Sequence, residues 1–241
     1  VPGRAQPKVL VLCPTRELAQ QVAADAVNLV RGMKGIRIAT VMGGMPYGKQ
    51  IQAIKGAQLV VATPGRLLDL TDSKAIRLDD VKQLVIDEAD RMLDMGFADD
   101  LEAIDKRCAG RTQTLMFSAT FAPKIMSLAN ELTSNAKRIE LAHAGEKHAN
   151  IEQKLHWADS MSHKHKLLEH ILADATLDQA VVFASTQIES EKIADTLRAN
   201  GYEASALHGA MPQAVRMRRL ESLRKGHTKI LVATDVAARG I

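Results

Sequence analysis

Apolar positions along the chain fall into short runs separated by stretches with helical spacing. Residues 8–13, 36–42, 58–62, 83–86 and 114–117 are runs rich in Val, Ile and Leu. They lack regular polar alternation, the pattern of strands buried on both faces in a parallel sheet. Between them, residues 16–31, 47–55, 97–107 and 123–132 place apolar residues three and four apart, which predicts amphipathic helices. This alternation predicts an α/β fold. The pattern breaks at 142–150, a polar stretch with one Gly, and a linker is predicted at 143–150. It then restarts with strands at 152–157, 180–184, 204–207 and 229–233, and helices at 164–173, 187–200 and 213–224. Two parallel-sheet α/β domains follow, 1–142 and 151–241. An internal echo supports their kinship. Leu59-Val60-Val61-Ala62-Thr63 and Ile230-Leu231-Val232-Ala233-Thr234 are both apolar runs ending in Ala-Thr, with Arg and Gly nearby.

Composition narrows the function classes. At 241 residues, with 46% hydrophobic and 25% charged, the chain can bury two cores. A net charge of +4 permits a nucleic-acid partner without defining one. Aromatic residues are only 3%, which argues against base stacking and for contacts to the phosphate backbone. Cys13 and Cys108 lack metal or redox spacing and read as buried thiols of a reducing, cytoplasmic protein. No apolar run approaches the ~20 residues of a membrane span. Val1-Pro2-Gly3-Arg4 has no signal-peptide character and no initiating Met, and the chain stops just after an apolar run. Both domains are therefore expected to be truncated pieces of a longer protein.

The strongest chemical signal is Leu84-Val85-Ile86 ending on Asp87-Glu88. In open α/β sheets ligands sit beyond the carboxyl ends of strands. One carboxylate there can hold Mg²⁺ through water, and a second can orient and deprotonate an attacking water. Equally, two acids at a strand-to-helix turn can simply favour the helix dipole. Pro14-Thr15-Arg16 and Thr63-Pro64-Gly65-Arg66 also follow apolar runs and open helices. Thr hydroxyls, Arg guanidinium groups and free helix amides are phosphate donors. Thr15 as an N-cap with Leu18 at N3, and Pro64 at a first helical position, are the purely structural alternatives. Gly43-Gly44 is either a tight turn or a close-approach site. Ser118 and Thr120 can cap a helix before Pro123 or hydrogen-bond a neighbouring acid such as Asp90. His208 reads as a turn residue.

Taken together, these strings resemble the motif series of the DEAD-box ATP-dependent RNA helicases of superfamily 2, in family order over essentially the whole chain. The carriers are Asp87-Glu88-Ala89-Asp90, Pro14-Thr15-Arg16, Gly43-Gly44, Thr63-Pro64-Gly65-Arg66 and Ser118-Ala119-Thr120. In the second half they are Val182-Phe183-Ala184-Ser185-Thr186, Gln213 with Arg216, Thr234-Asp235 and Ala238-Arg239-Gly240. The wording resembles the bacterial, RhlE-like branch. The resemblance implies tandem RecA-like domains that bind ATP, Mg²⁺ and RNA, close on them and open short duplexes, as a monomeric core. It implies Asp87 and Glu88 as catalytic and nucleotide-binding, with Asp87 on the metal. It implies Asp90, Ser118 and Thr120 in interdomain coupling, and Gly240 near the nucleotide. RNA would be held by Pro14, Thr15, Arg16, Gly43, Gly44, Thr63, Gly65, Arg66, Arg216 and Thr234. An ATP-gated RNA clamp that does not unwind shares every one of these features. The Asp90 ending disfavours a DNA translocase of the wider superfamily.

Residues 43–50 are one residue short of a phosphate-loop pattern, with Gln50 where Ser or Thr would contact Mg²⁺. This string overlaps the glycine doublet and follows the first RNA-contact motif, so it reads as a chance near miss. The family's phosphate loop is expected before Val1, and its later arginine motif after Ile241. Without them the 241-residue piece is expected to be inactive by itself.

Overall fold

The computed structural model describes residues 5–120, 122–140 and 151–234. The chain divides into two compact units, Val1–Ala144 and Gly145–Ile241. The predicted linker at 143–150 lies outside the described residues, as do Asp235 and Gly240.

The first unit is a five-stranded, wholly parallel sheet. In chain order its elements are β1 (Val9–Leu12), α1 (Arg16–Leu29), β2 (Ile38–Val41), α2 (Tyr47–Ile54), β3 (Leu59–Ala62), α3 (Pro64–Asp72), β4 (Gln83–Ile86), α4 (Ala89–Asp94), α5 (Ala98–Arg107), β5 (Gln113–Met116) and α6 (Pro123–Leu132). The strands lie side by side as β2-β3-β1-β4-β5. Successive residues of β1 serve opposite faces, as the period of two requires. Leu10 and Leu12 join Leu67, Leu70, Leu101 and Ile104 on one side. Val11 and Cys13 join Ala19 and Ala23 of α1 on the other. A fully buried Leu or Ile side chain contributes about 1.5–3 kcal/mol, so these central strands anchor everything at their carboxyl ends.

The second unit holds α7 (Met161–Leu172), β6 (Ala180–Ala184), α8 (Gln187–Ala199), β7 (Ala204–Leu207), α9 (Gln213–Arg224) and β8 (Ile230–Thr234). Its sheet is parallel, in the order β6-β8-β7, with β8 buried along its whole length. Ile230 and Val232 face one cluster, and Leu231 and Ala233 the other. Ser160 and Thr186 cap α7 and α8 by accepting the N3 amide hydrogens, from His163 at 3.1 Å and Glu189 at 3.1 Å.

Two expectations are corrected. Residues 152–157 form no strand: Leu155 and Trp157 are 80% and 83% exposed, and alternation without a ladder partner does not make a strand. The edge strand β5 is not covered on both faces, because Leu115 is exposed, and β6 is open in the same way at Val181 and Phe183. Helices α3 and α4 were not among the helical stretches read from spacing. The six residues of α4 are too few to display a period. Among the described residues, no helix is long and apolar enough to cross a membrane.

Candidate functional site

Every strand of the first unit runs the same way, so all five carboxyl ends open on one edge of the sheet. Reading along that edge in strand order gives Gly43-Gly44 after β2, Thr63 to Arg66 after β3, Pro14 to Arg16 after β1, Asp87 to Asp90 after β4, and Ser118 to Thr120 after β5. The loops rich in glycine and arginine form one half of the edge, and the acidic and hydroxyl loops form the other.

The acidic half is held from both sides. The Asp87 N–H donates to Leu12 O at the end of β1 (3.0 Å), and the Ala89 N–H donates to Phe117 O beyond β5 (2.9 Å). Glu88 sits between them in the left-handed region, with φ +50° and ψ 53°. A non-glycine residue there is strained, and such strain concentrates at functional sites. The Glu88 N–H donates to Asp87 Oδ1 (3.0 Å), which turns that carboxylate back over the strand end. Thr120 Oγ1 donates to Asp90 Oδ2 (3.2 Å), joining the loops after β4 and β5. Ser118 does not reach an acid; its hydroxyl donates to Thr120 O (2.7 Å) and tightens the same turn. The negative charge is felt next door. Burial, followed by the nearby Asp87 and Glu88, pushes the Cys13 thiol from 9.0 up to about 12. Among the described residues no three His, Cys, Asp or Glu side chains cluster to hold a metal. One or two carboxylates at a strand end do fit Mg²⁺, which keeps waters and takes phosphate oxygens as further ligands.

In the other half, Thr15 Oγ1 accepts the Leu18 N–H (3.3 Å), so the predicted capping role is realised. Thr63 caps α3 by backbone geometry only, with Pro64 at its start. Gly44 has φ +76°, which a side chain would strain. Gly43 and Gly65 have open space where a Cβ would be, leaving the backbone approachable. Arg66 is half-buried, and Nη1 donates to Met45 O (3.1 Å) in the glycine loop. Its guanidinium lies 5.5 Å from the centre of the Tyr47 ring. Gln50 is buried and bonds the backbone on both sides of the same loop. Sequence reasoning missed Tyr47 and read Gln50 only as a failed phosphate-loop position. The signal was present: a polar residue at an inward position of a helix whose other buried residue is Ile54.

In the second unit Arg216 is buried. It is 4% exposed, and Nη1 donates to His208 O (3.4 Å). His208 is also buried, with Nε2 2.8 Å from Glu191 Oε1, so it is more than the turn residue its position suggested. Thr234 ends β8 and is buried. The region after it, including Gly240, lies outside the described residues.

Two parallel-sheet α/β units, the first with its acids at a strand's carboxyl end, define the tandem RecA-like class. The chain belongs to the DEAD/DEAH box helicase family: that family's model matches residues 2–128, and the helicase conserved C-terminal domain model matches residues 163–241. It is 39% identical to the ATP-dependent RNA helicase RhlB of Pseudomonas syringae pv. tomato over 240 residues, covering 98% of this chain and 60% of that protein. It is 37% identical to the ATP-dependent RNA helicase DeaD of Escherichia coli over 241 residues, covering 100% of this chain and 38% of that protein. The solved structure of S. cerevisiae Dbp5 bound to RNA and ADP BeF3 matches with a TM-score of 0.86 and 31% identity, covering 100% of this chain and 61% of that one. These relatives bear the names RhlB, DeaD and Dbp5 rather than RhlE. The chain spans 60% of the length of the RhlB relative.

Proposed function

We propose that this chain supplies most of the motor of an ATP-dependent RNA helicase, which couples ATP hydrolysis to local opening of RNA duplexes. The observation that supports this reading is the sorting of the sheet edge into a half bearing glycines and arginines and an acidic half, which meet between β1 and β4. RNA is held through its sugar-phosphate backbone by Pro14, Thr15, Arg16, Gly43, Gly44, Thr63, Gly65 and Arg66, with Arg216 and Thr234 contributing from the second unit. Backbone contacts carry no base information, so binding is independent of sequence. Glu88 orients the attacking water and takes its proton. Asp87 would hold Mg²⁺, which would supply charge neutralisation at the phosphate oxygens. The Thr120–Asp90 hydrogen bond links the acidic turn to the loop after β5, and this supports a coupling role for Asp90, Ser118 and Thr120.

The test uses the full-length protein. ATP hydrolysis is measured with and without single-stranded RNA, and release of a short labelled strand from an RNA duplex is followed in parallel. RNA-stimulated hydrolysis with release supports the proposal. Glu88→Gln should retain RNA in the presence of ATP and hydrolyse it about 10²–10⁴-fold more slowly. Nucleotide-dependent retention with no strand release would replace the helicase with the clamp.

A further inference from the structure

We infer that Gln50 is a positioning residue for the RNA-backbone surface, acting through the glycine loop and through Arg66. The inference rests on the proposed RNA role of Gly43, Gly44 and Arg66.

The side-chain amide of Gln50 spans the loop between β2 and α2. Its Oε1 accepts the Met42 N–H (2.8 Å), and its Nε2 donates to Met45 O (3.2 Å). Met42 and Met45 bracket the glycine doublet, so the two bonds close a ring around Gly43 and Gly44. The amide can satisfy both partners in one orientation only, because a donor must face Met45 O and an acceptor must face the Met42 N–H. Gln50 is 4% exposed and Met42 is 1% exposed, so water does not substitute for the Met42 bond. Gly44 at φ +76° then presents the loop backbone outward, with open space at Gly43.

The same carbonyl gives the second half of the inference. Met45 O also accepts from Arg66 Nη1 (3.1 Å), so the Gln50 amide and the Arg66 guanidinium meet at one oxygen. Tyr47, three residues before Gln50 on α2, places its ring 5.5 Å from the Arg66 guanidinium. The Tyr47 hydroxyl is tied to Ser73 Oγ (2.8 Å) on the far end of α3. The first turn of α2 therefore sets both the loop that approaches the phosphates and the cation beside it. Gln50 is thus the residue that makes residues 43–50 an RNA-facing turn, where a hydroxyl at that position would suit a nucleotide loop.

Affinity of the full-length protein for a fluorescein-labelled uridine decamer, in the presence of ADP–beryllium fluoride, tests this. Gln50→Leu keeps the bulk and removes both bonds. It should weaken decamer binding about tenfold, while KM for ATP at saturating RNA changes by less than about twofold. Combined with Arg66→Ala, its effect should shrink well below the product of the two single effects, because both act at Met45 O. Gln50→Met is neutral, of similar length and makes neither bond, so a similar weakening is expected. It decides the matter if Gln50→Leu does not fold. Decamer binding within about twofold of the parent in folded Gln50 variants, or fully multiplicative effects with Arg66→Ala, would overturn the inference. Unchanged binding by Arg66→Ala alone would instead sink the RNA reading on which it rests.

Discussion

Glu88 offers a test that separates backbone strain from chemistry. Its backbone sits at φ +50° and ψ 53°, where an L-residue's Cβ crowds the following carbonyl at about 1–2 kcal/mol. Glycine escapes that penalty but gives up about 0.5–1 kcal/mol of chain entropy on folding. Glu88→Gly and Glu88→Ala both remove the carboxylate and everything it touches, so their difference isolates the Cβ. Glu88→Gly should be the more stable of the pair by about 0.5–1 kcal/mol, or roughly 2–4 °C in the unfolding transition of the first unit. Both variants of the full-length protein should hydrolyse ATP about 10²–10⁴-fold more slowly than the parent. Calorimetry paired with a phosphate-release assay reads both. A Glu88→Ala protein as stable as Glu88→Gly would refute the claim of stored strain. Hydrolysis within about tenfold of the parent in either variant would refute the role of the carboxylate.

Further outcomes follow from single contacts. Thr120→Val removes the donor to Asp90, and should lower duplex release per ATP about tenfold while RNA-stimulated hydrolysis falls less than about threefold, as strand-release and ATPase assays would show. Lys49→Ala should leave the KM for ATP within about twofold in the full-length protein, because Lys49 is exposed on α2 and Gln50 occupies the inward position; near-total loss of ATP binding would restore the phosphate-loop reading. Burial pushes the thiols of Cys13 and Cys108 from 9.0 up to about 12. At pH 8 the native thiolates should be about 10³-fold scarcer than unfolded ones, so a thiol reagent should label the folded chain slowly and the denatured chain at once. Because the folded values are raised, this contribution to stability is intact below pH 9 and is lost between pH 9 and 12, by up to about 1.4 kcal/mol per pH unit and thiol. Urea titrations across that range check it.

Hydrophobic pattern was legible in central and edge strands alike. The run 83–86 matches β4, and 180–184 and 204–207 match β6 and β7, because each is an apolar run bounded by polar residues. It misled at 152–157, where Ile151, Leu155 and Trp157 alternate with polar residues but find no ladder. Pattern reports what a segment could bury, not whether a neighbour arrives. The motif residues of the first unit were legible as types at strand ends, and the parallel sheet brings them to one edge. Their partners were not. Nothing in the string 42–50 says that one amide bonds both sides of a loop eight residues earlier in the chain, since that depends on the pitch of α2 against β2. The pairing of buried His208 with exposed Glu191 was hidden for the same reason, since they stand 17 positions apart with a strand between them.

Strand order, rather than chain order, is what makes the site coherent. Along the chain, Pro14-Thr15-Arg16 comes first, ahead of Gly43-Gly44 and Thr63 to Arg66. In the sheet β1 lies between β3 and β4, so that loop is brought beside the acids. The glycines and Arg66 are set further out, beyond it. A charge interaction weakens with distance and with intervening solvent. An Arg cluster directly on Asp87 and Glu88 would pair with them and occupy both the phosphate donors and the carboxylates. Beyond β1, Arg66 is taken up by Met45 O, Tyr47 and Asp69 on its own side, while the acids add to the effect of burial on the Cys13 thiol. The edge sets Arg66 and the glycines two or three strands from the acids, on one shared core. Under the function proposed above, that separation would let one end of the sheet take a polyanion and the other a nucleotide's phosphates.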